Sequence, residues 1–347
     1  MDNIKTALLS YGMSGKVFHA PFLELHPGFE LLGSWERSKK LIQEDYPEVK
    51  SFPSLESILE DKSIELVIVN TPIDTHFEYA KKVLLAGKHA IVEKAFTANV
   101  AEAKELAALS KEKGLKLSVF QNRRWDSDFK TVKSIIDKNV LGEIVEAEFH
   151  FDRYNPILSP KVHKETVNSG SGIMKDLGPH IIDQALYLFG LPNAVFADIR
   201  FTREQTLIND YFDILLYYSN FRVRLKAGFF VREPNSSYVV HGKKGSFLKS
   251  RGDVQEDELK LSKKPNLTTW GTEKEGQEGL LHTEIEGKIF REKVPTLQGN
   301  YYDFFEGVYQ AISNGKTEPV TAQDGANVMR IIEAAFESSE KRRAIDL

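Results

Sequence analysis

The chain has 347 residues, 41% hydrophobic and 28% charged, the balance of an ordinary globular protein long enough for two cores. Lys and Arg number 46 against 50 Asp and Glu, a net charge of −4 with no basic stripe, which argues against nucleic acid as a partner. The absence of cysteine excludes disulfides, a thiol nucleophile and cysteine-held zinc or iron–sulfur clusters, and no metal site is expected. No uninterrupted apolar run reaches the roughly 18 residues of a membrane span. The chain runs directly into a strand pattern at its start, so the expectation is a cytoplasmic protein without signal peptide or membrane association.

From residue 5 to 120, short apolar runs at 6–9, 29–35, 49–52, 66–69, 89–92 and 117–120 alternate with segments of helical period such as 75–85 and 100–113. Repeated strand, helix, strand predicts a parallel sheet covered on both faces, and the right-handed crossover rule makes it a doubly wound α/β Rossmann domain over residues 1–123. The first strand leads into Ser10-Tyr11-Gly12-Met13-Ser14-Gly15, which matches G-x-G-x-x-G with Ser10 in the first glycine's place. Gly12, followed by Met13 and Ser14, lets the backbone approach a pyrophosphate, and Gly15 lets the next helix pack close.

Candidate cofactor ligands also stand where the later strands end, the ligand side of such a sheet. Glu36 suits ribose hydroxyls and repels a 2′-phosphate, whereas Arg37, Ser38 and Lys39 could cradle one; the balance favours NAD over NADP. Thr71 and Pro72 follow the next strong run, and His76, which also fits a purely structural place, opens the helix after it. Glu93 and Lys94 follow 89–92, and Asn122 and Arg123 follow 117–120. A lysine directly after a buried strand at the ligand end is hard to explain by packing.

Residues 124–347 read as a second, α+β domain. A helix carries Phe129, Val132, Ile135 and Ile136 on one face. Alternating runs at 144–152, 195–200, 211–218, 222–230, 237–241 and 246–249 predict a mostly antiparallel sheet with one open face. Residues 251–298 are irregular and read as surface loops or a lid, and two amphipathic helices close the chain.

Within this half, residues 169–190 hold a helix with Ile181, Ile182, Ala185, Leu186 and Phe189 on one face, Pro179 first and Gly190 ending it. His180 falls in its first turn, with Asp176 upstream in a glycine-bounded turn. The helix dipole disfavours imidazolium and a nearby carboxylate favours it, so His180 is poised as a general base. Arg124, Trp125, Tyr154 and His163 are substrate candidates, polar and aromatic groups that suit a sugar or cyclitol ring.

The loop Gly12 to Gly15, Asn70-Thr71-Pro72 with His76, Glu93-Lys94, Arg123-Arg124, and Gly172 through Asp176-Leu177-Gly178-Pro179-His180 with Asp183 resemble, in order and spacing, the glucose–fructose oxidoreductase, inositol dehydrogenase and rhizopine-catabolism (Gfo/Idh/MocA) family. The resemblance runs from the first strand to the last helix. The wording of residues 11–21, 121–126 and 176–185 is similar to a bacterial branch that includes NADP-dependent scyllo-inositol dehydrogenases. In that branch the second strand often ends in Ser-Arg, where this chain has Glu36-Arg37.

The family resemblance implies an NAD(P)-dependent oxidoreductase of carbohydrate metabolism, moving a hydride between nicotinamide and a secondary hydroxyl or carbonyl of a sugar, sugar derivative or inositol. It implies that Lys94, Asp176 and His180 meet the substrate as the catalytic group. His180 would take the hydroxyl proton, Lys94 would stabilise the alkoxide and Asp176 would orient the pair. Ala95 stands where the family usually has proline. The resemblance further implies a homodimer or homotetramer through the open sheet face, with C-terminal helices packing back toward the nucleotide domain. A nucleotide-sensing regulator and a redox-assisted glycosidase are the alternatives; a complete proton-transfer set counts against the regulator.

Overall fold

The computed structural model describes residues 3–36, 39–160 and 165–347, so Arg37 and His163 lie outside the described residues. The chain divides into two compact units, the first made of residues 1–122, 254–270 and 300–326, the second of 123–253, 271–299 and 327–347. Segments 254–270 and 300–326, assigned from the sequence to the second domain, thus belong with the first. The helix Tyr302–Asn314 shows why: its buried stripe of Phe304, Phe305, Val308 and Ala311 needs a partner. It finds one in Phe22, stacked on Phe305 at 5.7 Å, and in Phe29 and Phe120, edge-on or tilted to the same ring.

The first unit is built on six parallel strands, β1 (Ile4–Leu8), β2 (Phe29–Trp35), β3 (Lys50–Phe52), β4 (Leu66–Val69), β5 (His89–Val92) and β6 (Leu117–Val119), in the order β3-β2-β1-β4-β5-β6. Every residue of β4 is buried, as expected of a strand covered on both faces. The crossovers carry α1 (Ala20–Leu25), α2 (Ile42–Asp45), α3 (Leu55–Glu60), α4 (His76–Leu85) and α5 (Val100–Lys113). Local chemistry sets their ends: the Asn99 side chain accepts the Glu102 N–H at the start of α5, and Gly114, at φ +66°, stops it in the left-handed region. Strand order reverses between β1 and β4, which opens a crevice at their carboxyl ends.

The second unit holds α6 (Ser127–Asp137) and a nine-stranded sheet of β7 (Ile144–His150), β8 (Ala194–Arg200), β9 (Tyr211–Tyr217), β10 (Arg222–Gly228), β11 (Tyr238–Gly242), β12 (Gly245–Lys249), β13 (Gly279–Ile285), β14 (Lys288–Val294) and β15 (Ile345–Asp346). Only the pair β7/β10 is parallel. Alternation gives the sheet its two faces: in β9, Phe212, Ile214 and Leu216 are buried while Tyr211, Asp213, Leu215 and Tyr217 are half-exposed.

Residues 251–298 are more regular than the sequence suggested. They contain the short helix Gln255–Lys260 and the hairpin β13–β14, closed by Glu286 and Gly287 at φ +51° and +77°. Six of the seven β14 residues are exposed, so no apolar alternation marked it as a strand. Trp270 is no lid residue either, being 3% exposed with its Nε1 donating to Gln255 at 3.1 Å. No helix among the described residues is long and apolar enough to cross a membrane.

The helix Gly178–Phe189 is fixed by a buried ion pair. Arg124 donates from Nε and Nη2 to the two carboxylate oxygens of Asp183, at 2.8 and 2.7 Å, with its guanidinium carbon 4.4 Å from the centre of the Tyr187 ring. Asp183→Ala would strand a buried cation, and the expected loss is about 3–5 kcal/mol of stability in urea denaturation; a loss below about 1 kcal/mol would show the pair to be dispensable.

Candidate active site

In the first unit a cleft of about 380 Å³ opens at the ends of β1, β2 and β4. It brings Gly12, Glu36, Thr71 and Pro72, all expected there, together with Ser10, Tyr11, Lys39 and Thr75. Trp35 and Tyr79, which the sequence did not single out, complete its wall and meet edge to face at 5.8 Å. Aromatic walls above a glycine-rich turn suit a heteroaromatic base and ribose.

The turn explains its own departure from the motif. The Ser10 hydroxyl accepts the Gly12 N–H at 3.1 Å, so a serine closes the bend that a first glycine would make. A Cβ on Gly15 would stand 2.3 Å from the Ser10 carbonyl oxygen, whereas one on Gly12 would meet only Ser10 Oγ at 3.4 Å. Packing therefore demands glycine at 15 but not at 12, and the space over Gly12 is the cradle a diphosphate needs. The Asn70 side chain donates to the same Ser10 carbonyl at 2.7 Å. Its Oδ1, buried without a partner among the described residues, is a further acceptor at this strand end. A nicotinamide dinucleotide fits this donor and acceptor set. Met13 is 65% exposed beside it.

Glu36 is anchored in the wall: its carboxylate accepts the N–H groups of Leu41 and Ile42 at 2.8 and 3.2 Å, capping the turn that begins α2.

Lys94 follows β5 in a half-buried turn, across a cis Lys94–Ala95 peptide. The preceding Glu93 carboxylate gathers three donors. Its Oε1 accepts from Ser14 Oγ and from His19 Nε2, the latter at 2.9 Å, and its Oε2 accepts the Lys94 backbone N–H at 3.1 Å. Burial alone would raise the Glu93 carboxyl, but the hydrogen bonds from His19 and Ser14 and the Lys94 charge outweigh it and hold it below the usual carboxylate range. His76, expected among the cofactor ligands, is 1% exposed and engaged elsewhere: Nδ1 lies 2.9 Å from the Ala95 carbonyl oxygen and Nε2 2.8 Å from that of Thr71. Burial pushes its pKa down. His76 is therefore a brace between the turns after β4 and β5. Asn122, also expected to meet the cofactor, is 5% exposed.

In the second unit, Asp176 is exposed and ends a short helix, Ile173–Asp176, rather than lying in an open turn. Gly172, at φ +87°, permits that helix to start against Asn209, whose backbone and side-chain oxygens accept the Ile173 and Met174 N–H groups at 2.8 and 2.9 Å. His180 lies in the first turn of Gly178–Phe189, as expected, and is 5% exposed, its ring 6.2 Å from that of Phe151.

Three guanidinium carbons surround the same Phe151 ring, those of Arg251 at 4.0 Å, Arg123 at 5.2 Å and Arg153 at 5.5 Å. No local pattern marks Arg251, which is remote in the chain. Arg123 donates to Asp126 at 3.2 Å, and burial, with Asp253 close by, holds the Asp126 carboxyl well above its ordinary value. Arg124, a substrate candidate, is 7% exposed and donates to Asp183. Trp125 is half-buried. Tyr154 is 42% exposed, with Arg232 donating to its hydroxyl.

The family model for an oxidoreductase NAD-binding Rossmann fold matches residues 4–121, and that for the oxidoreductase family's C-terminal alpha/beta domain matches 133–347. The chain belongs to the Gfo/Idh/MocA oxidoreductase family. Gfo/Idh/MocA relatives match it along its whole length. Scyllo-inositol 2-dehydrogenase (NADP(+)) IolW of Bacillus subtilis is 38% identical, over 100% of this chain and 97% of the relative. The uncharacterized oxidoreductase YdgJ of Escherichia coli K12 is also 38% identical, over 100% and 99%. A solved structure from Bacteroides fragilis superposes with a TM-score of 0.92 at 44% identity, covering 100% of both chains. The protein is an oxidoreductase whose first unit is a nicotinamide-dinucleotide-binding Rossmann domain.

The two loop glycines make separate predictions. Gly12→Ala is expected to leave thermal stability within about 0.5 kcal/mol of the parent while weakening NAD(P)H binding, followed by fluorescence titration, about tenfold or more. Gly15→Ala is expected to lower both. Unchanged cofactor affinity in Gly12→Ala would remove that loop from the binding site.

Proposed function

We propose that the enzyme interconverts a secondary hydroxyl and carbonyl on a sugar, sugar derivative or inositol, with Lys94, Asp176 and His180 as its catalytic group. The observation that carries the proposal is His180, buried beside an aromatic ring in a helix's first turn, four residues after an exposed carboxylate. Lys94, at the end of β5 with its backbone held by Glu93, is the companion cation. The name of the Bacillus subtilis relative, a scyllo-inositol dehydrogenase, supports a polyol ring as substrate.

His180 removes the hydroxyl proton as general base, and Lys94 stabilises the negative charge that grows on that oxygen. Asp176 orients the two through hydrogen bonds. When bound, the nicotinamide supplies the acceptor for the hydride leaving the carbon. Gly12, Met13, Ser14 and Gly15 hold its diphosphate, while Thr71, Pro72 and Glu36 line the adenosine end. The Glu36 carboxylate, fixed in the cleft wall, favours free ribose hydroxyls and hence NAD. Lys39 on the same wall, with the NADP(+) of the relative's name, supports NADP as the second reading. The half-exposed sheet face bearing Tyr211, Leu215 and Tyr217 pairs with a second copy of the chain in a homodimer or homotetramer.

The first test follows the absorbance of reduced nicotinamide with NAD or NADP against aldoses, uronates and inositols. Reduction with a ring polyol is the expected result; glycoside cleavage without net reduction would overturn it. His180→Ala is expected to lower turnover by about 10²–10⁴-fold with cofactor affinity retained, and unchanged turnover would remove His180 from the base role. Glu36→Gln is expected to shift relative affinity toward NADP by about tenfold. An unchanged ratio would show that Glu36 only caps its turn.

A further inference from the structure

We infer that Ser14 and His19 are positioning residues for Lys94, acting through the Glu93 carboxylate that joins all three. The inference rests on the proposed catalytic role of Lys94 and adds what sets its place. Ser14 belongs to the glycine-rich turn, and His19 ends the π-helical turn Gly15–His19 that follows it. Neither is a neighbour of Lys94 in sequence. Both reach Oε1 of Glu93, whose Oε2 accepts the Lys94 backbone N–H at 3.1 Å. One carboxylate therefore ties the dinucleotide turn to the residue that carries the lysine.

Packing does not account for His19. Its side chain is 0% exposed and its ring lies 4.3 Å from Phe120 and 6.1 Å from Phe305, surroundings that a leucine or phenylalanine would fill at lower desolvation cost. A carboxylate only accepts, so the proton must sit on Nε2. Nδ1 has no hydrogen-bond partner among the described residues. The ring has a single polar contact, and it is spent on Glu93. His19 closes a single π-helical turn, a feature frequent at functional sites. Removing either donor would leave Glu93 under-satisfied and free to turn, and the Lys94 N–H would lose its fixed acceptor.

The test compares Ser14→Ala and His19→Leu with the conservative variants Ser14→Thr and His19→Gln, each in the parent and in a Lys94→Ala background. Ser14→Ala, at a half-exposed position, keeps the test open if His19→Leu fails to fold. Hydrogen–deuterium exchange of the peptide spanning residues 92–97 reads the positioning directly. It is expected to speed up in Ser14→Ala and His19→Leu and to stay near the parent in Ser14→Thr and His19→Gln. Unchanged exchange in the first two would overturn the inference whatever the activity.

Turnover with scyllo-inositol and NAD or NADP reads the consequence. Each disruptive variant should lose about tenfold in kcat, in His19→Leu with cofactor Kd changed less than about threefold, and His19→Gln should recover most of the loss. In the Lys94→Ala background the same substitutions should cost less than about twofold, because the residue they position is gone. The same cost in both backgrounds would show that Ser14 and His19 act on something other than Lys94. If Lys94→Ala itself leaves turnover intact, the catalytic role of Lys94 falls first, an outcome distinct from failure of the positioning chain alone.

Discussion

A carboxylate largely withdrawn from solvent at the end of a parallel strand must be given donors, and that need at Glu93 organises the carboxyl end of the first unit's sheet. The ladder of β5 closes with the Glu93 N–H donating to the Val69 carbonyl oxygen of β4 at 3.1 Å, the last strand partner along this turn. Side chains take over. Glu93 draws in Ser14, His19 and the Lys94 N–H, while His76 spans from the Thr71 carbonyl to that of Ala95. Glu93 and His76 thus bind together the turns after β1, β4 and β5, the turns that carry the cofactor and substrate ligands in the proposed function. In the proposed function, holding the Lys94 backbone in this way sets its charge before the substrate arrives, which is where electrostatic catalysis gains most.

What could be read from the sequence was whatever is local. Apolar runs of four to seven residues marked the parallel strands, a glycine marked the end of α5, and the loop after β1 announced its turn by composition. His180 was placed correctly because helix starts carry their own signal in Pro179. Pairings were not legible. His19 and Glu93 are 74 residues apart and Arg124 and Asp183 are 59 apart, so the types were visible while the partnership was not. The carboxylate that Arg124 meets and the two carbonyls that His76 spans could therefore not be named from the sequence. The hairpin β13–β14 was hidden for a different reason: an edge strand exposed on both sides has no apolar face to display.

Polar burial in the second unit does a related job for His180. A buried ion pair contributes little net stability against an apolar replacement, but breaking it from one side is costly. Arg124 and Asp183 are therefore better understood as a register device than as glue. Asp183 holds the Arg124 side chain, and the next residue, Gln184, donates to the Arg123 carbonyl oxygen at 2.9 Å. Two consecutive residues of one helix are thus pinned to one short turn. The Tyr238 hydroxyl meets Gln184 Oε1 at 3.2 Å, adding a contact from the sheet. A helix pinned at two successive positions can neither slide nor rotate without breaking charged or buried hydrogen bonds. His180, one turn earlier on the same rigid segment, inherits that restraint. Its direction toward Phe151 is set by residues that need never touch a substrate.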